Sequence, residues 1–220
     1  MQSKNIEKLD GFIKNYNCSK IMLFTGRNSF YSSGAFKLFK FEKKDVSVFR
    51  FYEFSENPKL EDLIKSINFF KKHSCDSIIA VGGGSVIDMG KLVSFYNEEN
   101  LSNFDVNLIK KRKTPLMVIP TTAGSGSEST KFAVLYINGE KFSIQHESIL
   151  PDEKIIDPNF SFSMSKSQKA ISGLDAFSQS IESFWSQNST PQSKLFSKEA
   201  LKLIWENLYQ SVNKNDFDAH

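Results

Sequence analysis

The chain has 220 residues, with 28 Lys and Arg against 25 Asp and Glu for a formal charge of +3, and it is 40% hydrophobic and 24% charged. That balance supports a buried core and lies far from the low hydrophobicity and high charge of disordered chains. No window approaches the roughly 18 apolar residues that span a bilayer, the N-terminal MQSKNIEKLDG lacks an apolar signal core, and the small positive charge is no footprint for nucleic acid, so a cytoplasmic protein without membrane or nucleic-acid partners is expected.

In chain order, KIMLFT (20–25) reads as a short buried strand and DVSVFRFY (45–52) as a second, alternating one. Asn57-Pro58 punctuates the chain, and Pro58 suits a first helical position after an Asn cap. Leu60, Leu63, Ile64, Ile67 and Phe70 then fall at helical spacing, so a helix is predicted over 58–73. SIIAV (77–81) is another buried strand, followed by Gly82-Gly83-Gly84-Ser85 and a helix over 86–96. The basic run Lys110-Lys111-Arg112-Lys113 reads as a solvated loop rather than a phosphate track. A strand at 116–119 leads into the small polar loop PTTAGSGSE (120–128), and runs at 132–137 and 142–145 flank Asn138-Gly139, the preferred pair of a tight hairpin turn. Helices are predicted over 168–185 and 191–212, with the domain break near 151–158. Strands alternating with helices predict an α/β domain with a parallel sheet. Cys18 and Cys75, without a CxxC and with only three histidines, predict neither a disulfide framework nor a structural zinc site.

The glycine loop follows a strand and opens a helix, so backbone N–H groups and a helix N-terminus converge there as an anion site. Ser85 is expected to cap the helix, with Asp88 three residues on completing a capping box. A tight turn needing positive φ serves equally well for an isolated GGGS, which is also not the GxGxxG fingerprint. Two such loops at strand ends in one α/β domain fit a nucleotide crevice better than two unrelated turns.

Taken together and in order, CDSIIAVGGGSVIDMGK, PTTAGSGSEST, LPDEKIIDPNFSFSMS and ISGLDAFSQSIESFWS with NSTPQSKLFSKEALKLIWENL resemble the iron-containing (group III) alcohol dehydrogenase family, from the first strand to residue 212. Within it, GLDAFSQSIESFWSQNSTPQS looks most like the phosphonoacetaldehyde reductase (hydroxyethylphosphonate dehydrogenase) branch. The resemblance implies a Rossmann-like nucleotide-binding domain over 1–158, then the start of an all-helical metal and substrate domain over 159–220, the fold shared with dehydroquinate synthases. It implies a homodimer and hydride exchange between NAD(P)H and a small aldehyde or primary alcohol such as phosphonoacetaldehyde. Gly83, Gly84, Ser85 and Asp88 would hold the diphosphate, Thr121, Thr122 and Ser125 would line the nucleotide, and Lys141 would approach the ribose. Members selective for NADH carry an Asp just after the first strand. Here Thr25-Gly26-Arg27 replaces that anion with a neighbouring cation, which favours NADPH.

The family's metal, Fe²⁺ or Zn²⁺, is held partly by an Asp and a His one helical turn apart. This chain has Asp175 and Gln179 at those positions, and an amide oxygen is the poorer ligand. The remaining family histidines are expected beyond residue 220, while His73, His146 and His220 match none of them. Leu174, Phe177, Ile181 and Phe184 are predicted as the buried stripe of that helix, whereas Leu195, Leu201, Ile204, Trp205 and Leu208 are expected to lack partners. Asp175 and Gln179 are thus the candidate metal and catalytic pair. The alternative is a truncated or degenerate member that binds nucleotide without catalysis; a dehydroquinate synthase fits PTTAGSGSE and GLDAFSQ less well.

Overall fold

A computed structural model describes residues 2–39, 45–98 and 114–220. The basic run at 110–113 lies outside the described residues. By internal contacts the chain divides into two compact units, the first comprising 1–121 and 126–157 and the second 122–125 and 158–220.

The first unit is a five-stranded parallel sheet ordered β2-β1-β3-β4-β7, built from β1 (Lys20–Thr25), β2 (Ser47–Phe51), β3 (Ser77–Gly82), β4 (Leu116–Pro120) and β7 (Glu153–Lys154). β3 and β4 are buried at every position, as a sheet covered on both faces requires, which is why they read as unbroken apolar runs. α1 (Gln2–Asn15) buries Leu9, Phe12 and Ile13. α3 (Leu60–Lys72) lays Leu63, Ile67 and Phe70 on the core, and α4 (Gly84–Tyr96) is buried along most of its length. A short α2 (Ser29–Ser32) follows β1.

The chain runs from β1 to β2 on one side and then to β3 on the other, so the strand order reverses between β1 and β3. Ligands of open α/β sheets bind at such a switch point, outside the carboxyl ends of the strands. Here Thr25 pairs with Val81, which brings the Gly26-Arg27 turn and the glycine loop to neighbouring strand ends.

β5 (Phe132–Ile137) and β6 (Glu140–Gln145) form a separate antiparallel hairpin closed by Asn138 (φ 52°) and Gly139 (φ 85°), the left-handed pair that matches strand twist. Gly139→Ala is expected to cost about 1 kcal/mol, read as a lower urea midpoint with an unchanged denaturant slope.

The predicted helix at 58–73 begins later than its sequence pattern suggests. Asn57 is left-handed (φ 60°), Pro58 lies outside the helix, and its carbonyl accepts from Tyr136 N at 2.7 Å. The extended Lys59 is the N-cap and bridges to Tyr136. Pairing with the distant hairpin outweighs the local preference of Pro for a helix start.

The second unit holds α5 (Pro158–Ser161), α6 (Lys166–Trp185) and α7 (Pro191–Asn213). Ser165 with Gln168, and Thr190 with Ser193, close reciprocal capping boxes, and Pro191 occupies the first turn of α7. α6 and α7 approach closely at Gly173, where a Cβ would lie 2.2 Å from Leu208 Cδ1. The stripe predicted as buried on α6 is only half so: Phe177 and Ile181 are half-buried, whereas Leu174 is 58% and Phe184 43% exposed. Periodicity gives the face its direction, but α7 covers it only in part, with the Trp205 ring 6.4 Å from that of Phe177. Leu195 and Trp205 of α7 are exposed as well, at 62% and 79%.

Candidate functional site

The glycine loop sits between β3 and α4. Gly83, extended (φ −77°, ψ −175°), is the N-cap of α4, and no side chain caps that N-terminus. The expected Ser85–Asp88 capping box is therefore absent. Ser85 lies within the first helical turn, where its Oγ accepts from Asn57 N at 3.3 Å. Asp88 takes different partners: Oδ1 accepts from Ser127 Oγ at 2.6 Å and Oδ2 from Val134 N at 3.1 Å. Burial raises the Asp88 carboxyl above the usual carboxylate range, against the opposing effect of these two bonds and of Lys91. Asp88 thus ties α4 to the second loop and the hairpin, so its bonds run within the protein rather than toward a diphosphate.

One turn further on, Lys91 is 0% exposed. Its Nζ donates to Ser127 Oγ (3.1 Å), Thr130 O (2.9 Å), Thr130 Oγ1 (3.2 Å) and Phe132 O (2.8 Å). Burial lowers its pKa from the ordinary 10.5 to about 8, partly offset by Asp88 and Glu128. No sequence motif singles out this residue, although a lysine one turn after Asp88 in an otherwise apolar helix is a visible signal.

At the end of β4, Thr121 N donates to Gly82 O at 3.0 Å, which fixes the second loop beside the first. Thr121 is 3% exposed and its Oγ1 is buried without a hydrogen-bond partner. An orphaned buried hydroxyl is uncommon, because stranding one costs about 1–3 kcal/mol. Here it stands where two adjacent parallel strands end, so the site offers a polar ligand a ready donor and acceptor. Thr122 and Ser125 belong to the second unit. In that unit Gly124 adopts φ +116°, and a Cβ there would meet the Ser172 carbonyl oxygen at 2.4 Å. Lys141 is exposed on β6. Gly26 and the exposed Arg27 follow β1, with the Arg27 guanidinium 5.7 Å from the centre of the Tyr52 ring.

Asp175 and Gln179 lie on an exposed face of α6, and Gln179 Nε2 donates to Asp175 Oδ2 at 2.7 Å. The amide thus presents its N–H to the carboxylate instead of joining it as a ligand. Among the described residues no three His, Cys, Asp or Glu side chains gather to hold a metal ion. The described residues therefore do not complete a site for Fe²⁺ or Zn²⁺. His73 packs against Phe49 and Phe69 with ring centres 4.4 Å away, and His146 Nδ1 accepts from Ser148 N, so both have structural partners. His220 sits between Ser161 and Ser211. A cavity of about 390 Å³ in the second unit is bordered by Gly124, Met164, Gly173, Leu208 and His220; neither Asp175 nor Gln179 lines it. Cys18 and Cys75 are buried free thiols, with burial pushing Cys75 up to about 11. No helix among the described residues is long and apolar enough to cross a membrane.

A sequence model of the iron-containing alcohol dehydrogenases matches residues 1–158. A long-chain-alcohol dehydrogenase of Geobacillus thermodenitrificans is 33% identical over 184 residues, covering 80% of this chain and 47% of that protein. An NAD-dependent methanol dehydrogenase of Bacillus methanolicus is 31% identical, with 80% and 47% covered. The crystal structure of a sulfoacetaldehyde reductase from Bifidobacterium kashiwanohense in complex with NAD⁺ superposes with a TM-score of 0.87 at 27% identity, over 98% of this chain and 59% of that one. The chain spans between about a fifth and about half of the length of the curated relatives it matches.

Proposed function

Since the chain belongs to the iron-containing alcohol dehydrogenase family, we propose that it binds a nicotinamide dinucleotide, NADPH over NADH, and serves hydride transfer between that cofactor and a small aldehyde or primary alcohol. The observation that carries the reading is the orphaned hydroxyl of Thr121 beside the glycine loop, a buried polar group that a bound nucleotide would satisfy. In this reading 1–158 is the nucleotide-binding domain and 159–220 begins the substrate domain.

The cofactor, when bound, supplies the hydride. The chain's own part is to bind and orient it. By the family resemblance, backbone N–H groups at Gly83, Gly84 and Ser85 would hold the diphosphate, the hydroxyls of Thr121, Thr122 and Ser125 would line the nucleotide, and Lys141 would serve the ribose. Asp88 and Lys91 act from behind, holding Ser127 and Thr130 so that the second loop keeps its place. The preference for NADPH rests on the turn Thr25-Gly26-Arg27-Asn28, which has no carboxylate to repel a 2′-phosphate and has one exposed cation to attract it. A substrate bearing an anionic head group, phosphonoacetaldehyde first, is proposed from the α6 sequence; the sulfoacetaldehyde reductase among its structural relatives supports that class. A homodimer in the cytoplasm belongs to the same proposal.

A second reading, nucleotide binding without catalysis, is favoured by the Gln179 to Asp175 hydrogen bond, which occupies the carboxylate that would face a metal. Aldehyde-dependent oxidation of NADPH separates the two, since a binding module would titrate but not turn over.

Thr121→Val tests the shared premise. Replacing an unpartnered hydroxyl with an isosteric methyl is expected to stabilise the free protein by about 1 kcal/mol and to weaken NADPH binding about fivefold. Fluorescence titration and thermal unfolding read the two effects. A variant that binds NADPH as tightly as the wild type would remove the observation on which the proposal stands.

A further inference from the structure

Arg50 lies near the end of β2, the edge strand, and the parallel register sets it opposite Leu23 of β1. From there its side chain reaches the turn that follows β1. Nε donates to Thr25 Oγ1 at 2.8 Å, Nη1 to Tyr31 Oη at 2.9 Å, and Nη2 to the carbonyls of Gly26 and Arg27, each at 3.2 Å. The guanidinium is also packed among three rings, with centres at 4.6 Å for Tyr52 and 4.9 Å for both Phe30 and Tyr31. Arg27 shares the Tyr52 ring at 5.7 Å. Neither arginine forms an ion pair among the described residues. Two cations therefore converge on one aromatic ring at the switch-point end of β1, neither of them ion-paired among the described residues, an arrangement that attracts a dianionic phosphate.

We infer that Arg50 is a positioning residue for cofactor discrimination, holding the Gly26-Arg27 turn so that Arg27 and the backbone beside it receive the 2′-phosphate of NADPH. The inference rests on the NADPH reading above. Arg50 spends its hydrogen bonds on the protein, so its contribution is the shape of the turn, with its positive charge as a second-order addition. That division has a chemical signature. A lysine at this position keeps the charge but cannot bridge Thr25 and two successive carbonyls, because its ammonium is a compact point donor rather than a planar fork.

The test is the ratio of NADH to NADPH dissociation constants, measured by fluorescence titration of the full chain for wild type, Arg50→Met and Arg50→Lys. A wild-type ratio above one is expected, falling about tenfold in both variants while NADH affinity holds, the size of one lost charge-assisted contact. An Arg50→Lys variant that keeps the wild-type ratio would show that charge alone matters and overturn the positioning role. Equal loss of both nucleotides would make Arg50 merely structural, with the same consequence. If Arg50→Met does not fold, Arg50→Lys decides by itself. A wild-type ratio at or below one defeats the NADPH reading first and the inference with it, whereas a high wild-type ratio untouched by either variant defeats the inference alone.

Discussion

Gly90→Val is expected to destabilise the first unit by about 3 kcal/mol. Helix α4 crosses β3 at this residue, and a Cβ on Gly90 would lie 2.8 Å from the Cβ of Ala80, with Leu116 Cδ1 at 3.5 Å and Ile78 Cγ2 at 3.8 Å. The clashing atom is anchored directly to the strand backbone, so no rotamer relieves it. Ala80 is fully buried, and relief requires the helix to lift from the sheet, opening gaps elsewhere in a close-packed core. Because α4 also carries Asp88 and Lys91, the same shift should drag the second loop and weaken nucleotide binding. Urea unfolding and an NADPH titration on the same sample check both. A variant as stable as the wild type would mean that the helix–strand approach is slack.

Lys91→Met is expected to cost about 3 kcal/mol at neutral pH, because removing one member of a buried polar network leaves the others stranded. The Thr130 and Phe132 carbonyls would lose their donor, and the Asp88 carboxyl would keep Ser127 and Val134 but lose the nearby cation. The pH dependence has a definite sign. The folded pKa of Lys91 is about 8 against an ordinary 10.5, so between these values the unfolded chain binds the extra proton and the folded chain does not. Stability conferred by this residue therefore rises as pH increases from about 8 to 10.5, and the desolvation cost is fully present below that window. Urea midpoints of wild type relative to Lys91→Met should widen across the window and stay parallel below pH 7. A flat difference would mean that the ammonium is better solvated than its four protein partners imply.

Elements whose identity depends on their own residues are legible in the sequence alone. KIMLFT and SIIAV became β1 and β3 because a strand covered on both faces carries an apolar run through its middle. Asn138-Gly139 closed the β5–β6 hairpin because few residue pairs tolerate two left-handed conformations in succession. The two glycine-containing loops were likewise visible as loops that follow strand ends, because small residues mark such turns.

What escaped the sequence were the partners. Pro58 carries a strong local preference for the first helical turn, yet its carbonyl is taken by Tyr136 of a hairpin far along the chain, and a tertiary hydrogen bond outweighs a propensity of similar size. Asp88 has the right spacing for a capping box, but Ser127 and Val134 compete for the same carboxylate oxygens. β7, two exposed residues pairing with Met117 and Val118, has no apolar pattern and exists only because β4 offers an open edge. Arg50 looked like one polar position in an alternating strand.

The sequence by itself determined the α/β class, the parallel strands, the hairpin, the helical C-terminal part and the two loops at strand ends, since each follows from periodicity or from the allowed backbone angles of a few neighbouring residues. Only the tertiary structure decided which groups meet: that Lys91 is sealed beneath the second loop, that Thr121 keeps an unsatisfied hydroxyl, that Arg50 braces the Gly26-Arg27 turn, and that Asp175 and Gln179 bond each other on an exposed face. Local patterns encode direction and conformation along the chain, whereas a polar group's partner is fixed by strand order and register, which bring together residues that no spacing rule connects.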